Sequence, residues 1–130
     1  MSDPSQPWLE SARRSLDAAE VLHAARRWPQ TCFHAQQAAE LALKAAIAHQ
    51  NVAPPRLHSI TELLARQDST TRQALNHVAD HLRDLDSYYT VTRYPDAIVG
   101  ALPGQQDADE ALIAATEGVT VIKRLLDASP

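Results

Sequence analysis

The nine residues from 88 to 96, Tyr-Tyr-Thr-Val-Thr-Arg-Tyr-Pro-Asp, bring together side chains that are well suited to bind a ligand. A guanidinium offers planar hydrogen-bond donors, an aromatic ring offers a flat face, and a carboxylate accepts hydrogen bonds. Because a proline disfavours helical geometry in the residue before it, we expect a non-helical stretch of fixed shape to begin around Pro95. The site residues predicted from this segment are Tyr89, Arg93, Tyr94 and Asp96.

The same segment has a second interpretation that needs no ligand. The tyrosine rings fill a gap between helices, and Arg93 forms an ion pair with Asp96 or Asp86. The sequence alone leaves both interpretations open.

A second group of polar residues lies on a helix that is otherwise rich in alanine and leucine. Gln37, Glu40 and Lys44 are spaced by three and four residues, so they share one face of that helix. They form either a hydrogen-bonded chain or the polar lining of a groove, or else a solvated stripe. In a solvated stripe a Glu40–Lys44 pair would contribute only about 0.2–0.5 kcal/mol.

His58 is a further candidate because it stands just before a predicted helix start. The positive end of the helix dipole discourages protonation of a nearby imidazole, which leaves a neutral ring that both accepts and donates hydrogen bonds. Alternatively, His58 only anchors the loop in which it lies.

The elements that must position these residues are helices, since apolar residues recur at threes and fours along most of the chain. We predict an all-α bundle of about five helices, with the second, alanine-rich helix at its centre. Residues 91–106 are expected to form a long connection. The predicted helices span about 7–26, 31–50 with Thr31 as cap, 60–66 with Ser59 and Glu62 as a capping box, about 70 through Leu85 into the tyrosine segment, and 107–127 with Asp107 as cap.

Composition limits the classes of function. The 130 residues suit one domain, residues 1–130, of which we expect 1–6 to be flexible. A net charge of −4 argues against a general electrostatic grip on duplex nucleic acid. A single cysteine, no signal-like start and no long apolar run favour a soluble cytoplasmic protein without a membrane partner. Scattered glycines and histidines give no phosphate loop or zinc motif, so we expect no cofactor and no metal.

Several of these residues also carry a family resemblance. The stretch from Phe33 to Lys44 with its Gln-Gln-Ala-Ala-Glu core, then His58-Ser-Ile, then 85–89 and the Thr-Arg-Tyr-Pro-Asp element at 92–96, resembles a prokaryotic HEPN domain. The abbreviation stands for higher eukaryotes and prokaryotes nucleotide-binding. The resemblance implies an up-and-down antiparallel helical bundle, usually dimeric, that often acts beside a minimal nucleotidyltransferase. Some branches of the family are metal-independent ribonuclease toxins, marked late in the domain by an arginine and a histidine with four to six residues between them.

This chain departs from the ribonuclease pattern. Arg27 with His34, and Arg72 with His77, meet the loose spacing, but neither pair lies late in the domain, and no histidine follows Arg93. We therefore expect a non-catalytic nucleotide-binding module that acts with a minimal nucleotidyltransferase in a toxin–antitoxin-like or stress-response pair. A ribonuclease toxin that cleaves RNA without metal is the alternative. The nucleotide-binding residues that we predict are Gln37, Glu40, Lys44, His58, Tyr89, Arg93, Tyr94 and Asp96.

The apolar surface predicts self-association as well. The second helix is apolar on most sides, and Trp8 and Trp28 also need cover, which is more than we expect a small bundle to bury. A two-fold homodimer is the simplest assembly that would bury this surface.

Overall fold

The computed structural model describes residues 3–91 and 102–128, and within those ranges every regular element is a helix. The predicted all-α fold class is therefore confirmed, whereas Arg93, Tyr94 and Asp96 lie outside the described residues. The helices are α1 (Gln6–Ala24), α2 (Trp28–His49), α3 (Ile60–Ala65), α4 (Ser69–Leu75), α5 (Ala79–Asp84), α6 (Ser87–Val91) and α7 (Gln105–Ala128).

Helix α2 occupies the centre of the bundle, as predicted, and packs against α1, α3, α6 and α7. Its alanines permit this close approach because a methyl group is the whole side chain. Leu43 and Ile47 supply its larger core contacts, at 1% and 7% exposure. The central position of α2 explains why polar residues near its middle are buried.

The start of α2 corrects one prediction. We expected a helix over residues 31–50 with Thr31 as its cap, but α2 begins at Trp28 and has Pro29 in its first turn. Proline is tolerated in the first turn, where its missing N–H has no helical acceptor. Thr31 is instead inside the helix, and its hydroxyl donates to the carbonyl of Arg27 at 2.7 Å.

The predicted fourth helix is also wrong, because the chain forms three short helices, α4, α5 and α6, over that range. Val78 has φ −120° and ψ −2°, which is not helical, and its N–H bonds back to the carbonyl of Leu75 across a turn. Leu75, Val78, Leu82 and Leu85 are nevertheless all at most 1% exposed. The turns change the direction of the chain, but these side chains still point into the same core. Their spacing in the sequence therefore resembles that of one continuous helix.

Helix α7 begins at Gln105, before the predicted cap. Asp107 was expected to be its cap, but it lies in the first turn, and its carboxylate accepts from the N–H of Gly104 at 2.9 Å. Ala111, Val119 and Ile122 face the core, as the spacing predicted.

The apolar surplus that we inferred from the sequence is largely buried within one chain. Fourteen of the 22 residues of α2 are buried, and Trp8 and Trp28 pack half-buried against the core. An apolar surplus therefore no longer supports the homodimer prediction. Within the described residues, no helix combines the length and apolar character needed to cross a membrane.

Candidate functional site

The carboxylate of Glu40, in the middle of α2, is the centre of a buried polar cluster. Its side chain is only 9% exposed and accepts from three donors. These are Gln36 Nε2 at 3.3 Å, Lys44 Nζ at 3.1 Å and His58 Nδ1 at 3.2 Å. Hydrogen bonding of this kind compensates the desolvation of a buried carboxylate.

One member of this cluster, Gln36, was not among the residues that the sequence predicted. Gln36 is 1% exposed and donates both to Glu40 and to the carbonyl of His58, the second bond at 3.3 Å. The predicted Gln37 is half-buried beside it. The spacing of four between Gln36, Glu40 and Lys44 was the signal that could have identified Gln36, because residues four apart are neighbours on a helix.

Lys44 is buried rather than part of a solvated stripe. Its side chain is 8% exposed, and its ammonium lies 6.0 Å from the centre of the Trp8 ring. The ring face and the Glu40 carboxylate together stabilise the positive charge. Lys44 is thus engaged inside the domain, where it neutralises Glu40.

His58 joins the loop before α3 to this cluster. Its imidazole stacks on the ring of Tyr89, with 4.7 Å between ring centres and 14° between planes, and about half of its side chain is exposed. A charged carboxylate only accepts hydrogen bonds, so Nδ1 of His58 must carry the proton in its contact with Glu40. In the neutral ring, Nε2 is then a hydrogen-bond acceptor on the side away from Glu40.

The loop itself is fixed from two sides. The hydroxyl of Ser59 accepts from the N–H of Glu62 at 3.2 Å, which confirms the predicted cap of α3. The carboxylate of Asp86, which lies between α5 and α6, accepts from the N–H of Ile60 and, at 3.0 Å, from that of Thr61. Asp86 therefore ties the loop that carries His58 to the segment that carries Tyr89.

The structure thus brings together four of the eight predicted site residues, Glu40, Lys44, His58 and Tyr89, and leaves Gln37 beside them. The other three, Arg93, Tyr94 and Asp96, lie outside the described residues, a few positions after Tyr89 in the chain. Their place in the site stays a prediction.

Cys32, on α2, is buried, and Tyr88, which precedes Tyr89 on α6, packs partly buried against the core. Burial, with a smaller contribution from the charge of Asp107, raises the pKa of the Cys32 thiol to about 12. Burial likewise raises the pKa of Tyr88. A thiol with so high a pKa is not a nucleophile near neutral pH.

Two concave surfaces of the bundle contain none of the predicted site residues. One cavity of about 300 Å³ lies between α2 and the α3–α4 turn, and another of about 330 Å³ is lined by His77, His81, Glu110 and Glu117. Across residues 3–91 and 102–128, no three His, Cys, Asp or Glu side chains are grouped as metal ligands would be. Among the described residues we take the polar cluster around Glu40 as the candidate site, because it brings together Glu40, Lys44, His58 and Tyr89.

Comparison with known proteins identifies relatives with the same fold. The crystal structure of TT1696 from Thermus thermophilus superposes with a TM-score of 0.84, at 31% identity over 95% of this chain and 98% of that one. The crystal structure of ST0689, described as an archaeal HEPN homologue, gives a TM-score of 0.76 at 28% identity over 96% and 99% of the two chains. "Putative toxin MJ1304" of Methanocaldococcus jannaschii is 26% identical over 131 residues, covering 92% of this chain and 86% of the relative.

The family model for the HEPN domain matches residues 5–125, which include α1 to α6 and all but the end of α7. A match of that extent, with closely similar solved structures, agrees with the resemblance seen in the sequence. This chain belongs to the HEPN domain family.

Proposed function

We propose that this HEPN domain binds a nucleotide at the cluster of Glu40, Lys44, His58 and Tyr89 and acts in a toxin–antitoxin-type pair. The observation that carries the proposal is the His58 ring, which is stacked on Tyr89, bonded to buried Glu40 and half-exposed. An imidazole held in one orientation before a ligand arrives loses little conformational freedom on binding.

Each part of the proposed site has a chemical role. Nε2 of His58 accepts a hydrogen bond from an amino or hydroxyl group of the ligand, or donates one to phosphate when the ring is protonated. The ring of Tyr89, which stacks on His58, and the ring of Tyr94 supply the aromatic surface for the base. Lys44 is paired with Glu40, which leaves Arg93 as the phosphate contact. Gln37 and Asp96 complete the proposed set.

The proposed partners follow from the family and its relatives. The toxin name of MJ1304 supports a pair in which a second protein controls this one. We propose a minimal nucleotidyltransferase as that second protein, and a homodimer of this chain as its own assembly. Membership of the HEPN family, rather than an exposed surface of this chain, is the support for both assignments.

Calorimetry with ATP, GTP and AMP tests the binding site. We expect wild-type binding to weaken in His58→Ala, Tyr89→Ala and Arg93→Ala, with about 1.5–3 kcal/mol lost for Arg93→Ala if it makes a charge-assisted bond to phosphate. His81→Ala is the control, because His81 is exposed on α5 away from the cluster. Unchanged affinity in all three site variants, with the fold intact, would refute the assignment.

RNA cleavage is the second candidate function, and one contact favours it. A buried carboxylate that orients an imidazole through Nδ1 leaves Nε2 able to move a proton, which is the arrangement a general base or acid needs. A cleavage assay in EDTA decides between the two functions. Cleavage by purified protein that His58→Ala abolishes and His77→Ala preserves would assign a ribonuclease at this site, whereas RNA that stays intact would leave the binding module.

A further inference from the structure

The carboxylate of Asp86 makes a dense set of contacts with a segment about 25 residues away in sequence. It accepts from the backbone N–H groups of Ile60 and Thr61 and from the hydroxyl of Thr61, the last at 2.6 Å. The hydroxyl of Ser59 lies within 3.4 Å of the same carboxylate. Asp86 thus bonds to three consecutive residues that directly follow His58.

These contacts do more than cap a helix. Helix α3 has only six residues, and Ser59 already caps it from within. A helix this short is not stable by its own hydrogen bonds, so its position depends on contacts with other segments. Asp86 supplies such a contact from the turn that leads into α6.

The location of Asp86 connects both halves of the stacked pair. His58 precedes the three residues that Asp86 holds, and Tyr89 follows Asp86 by three positions, on α6. The carboxylate of Asp86 therefore connects the backbone segment that follows His58 with the segment that leads to Tyr89. The side chain of His58 has its own contact, with Glu40.

We propose that Asp86 is the positioning residue of this site: it fixes the His58 imidazole against Tyr89 and Glu40 and so sets ligand affinity without contacting the ligand. The inference rests on the proposed nucleotide site for its functional consequence. The orientation of the His58 ring does not depend on a ligand, so it can be tested in the free protein.

The test measures the His58 ring by NMR in the free full-length protein. In the wild type, the ring nitrogens should report a proton on Nδ1, and the ring protons should show the upfield shift that stacking on Tyr89 produces. In Asp86→Ala both signatures should be lost, and in Asp86→Asn, which keeps one acceptor oxygen, they should be reduced. Asp84→Asn is the matched control, because Asp84 is exposed near the end of α5, two residues before Asp86.

Affinity for ATP supplies the second measurement. We expect a loss on the order of tenfold in Asp86→Ala, about the value of one hydrogen bond to a charged group, a smaller loss in Asp86→Asn, and none in Asp84→Asn. If Asp86→Ala does not fold, Thr61→Val removes only the hydroxyl bond and should change the His58 signals in the same direction.

The outcomes separate the two proposals. Unchanged His58 signals in folded Asp86→Ala would overturn the positioning role. Altered signals in a protein whose wild type binds no nucleotide would support the positioning of His58 and refute nucleotide binding.

Discussion

At the residue scale, Glu40 is the position on which the site depends. A charge taken out of water is costly unless other groups compensate it, and here an amide, an ammonium and an imidazole all donate to one carboxylate. The consequence is a mutual dependence: Glu40, together with the ring of Trp8, compensates the charge of Lys44, whose side chain is only 8% exposed.

Substitutions at this pair should show that dependence. Glu40→Leu leaves Lys44 as a buried unpaired charge, so we expect the free energy of unfolding to fall by about 3–5 kcal/mol. Glu40→Leu combined with Lys44→Met removes both charges and should recover much of that loss. Urea denaturation measures each variant. Glu10→Leu is the control, since its pair with Arg14 is exposed and should contribute at most about 1 kcal/mol. A double variant as unstable as the single one would contradict the prediction.

The chemistry of Cys32 gives a second residue-scale prediction. Because burial raises its pKa to about 12, almost no thiolate exists at pH about 8, and the thiol is also inaccessible. Iodoacetamide should leave Cys32 unmodified in the native protein and modify it rapidly in urea. Mass spectrometry follows the reaction, and fast native labelling would show that the thiol is exposed.

At the element scale, the contact between α5 and α7 is set by a glycine. A Cβ atom on Gly118 would lie 3.0 Å from a methyl group of Leu82, which is 1% exposed and surrounded by the core. Interiors packed this densely do not yield without cost. Gly118 therefore lets α5 lie close against α7.

Replacement of this glycine should force the two helices apart. We expect Gly118→Val to lower the free energy of unfolding by about 1–3 kcal/mol, the usual cost of overpacking. Glu117→Val is the control, because it places the same β-branched side chain at the adjacent exposed position of α7. Thermal unfolding of the two variants measures the difference. Equal stabilities would mean that Leu82 moves aside freely.

At the scale of the whole molecule, stability should be greatest near neutral pH. Burial lowers the pKa of His34 from its ordinary 6.5, so the unfolded chain binds a proton more readily, and stability is lost as the pH falls below about 6.5. Hydrogen bonding, first from the backbone of Ser5, lowers the pKa of Asp3, which adds a further loss below its ordinary 3.8. Stability is also lost as the pH rises above about 9. The raised pKa values of Cys32 and Tyr88 make the folded state retain protons that the unfolded chain releases.

Urea midpoints at pH about 5, 7.5 and 10 measure this profile. His34→Gln should flatten the fall between neutral pH and pH 5, and Cys32→Ala should reduce the fall on the alkaline side. A midpoint in His34→Gln that drops as far as in the wild type between neutral pH and pH 5 would contradict the assignment to His34.

The sequence by itself determined the all-α class, the central position of α2, the cap of α3 and the candidates Glu40, Lys44, His58 and Tyr89. These follow from spacing along one helix and from side-chain chemistry, which are local properties. Only the tertiary structure decided that Gln36 rather than Gln37 belongs to the cluster, since its second bond is to the distant His58 carbonyl.

The tertiary structure also decided the breaks between α4, α5 and α6, and the role of Asp86. Leu75, Val78 and Leu82 are spaced as on one helix and share one core, but turns separate the short helices that carry them. The bonds of Asp86 join residues far apart in the chain, and no local pattern encodes such a pairing. Long-range contacts of this kind arise only when packing brings the segments together, and they hold His58 and Tyr89 face to face.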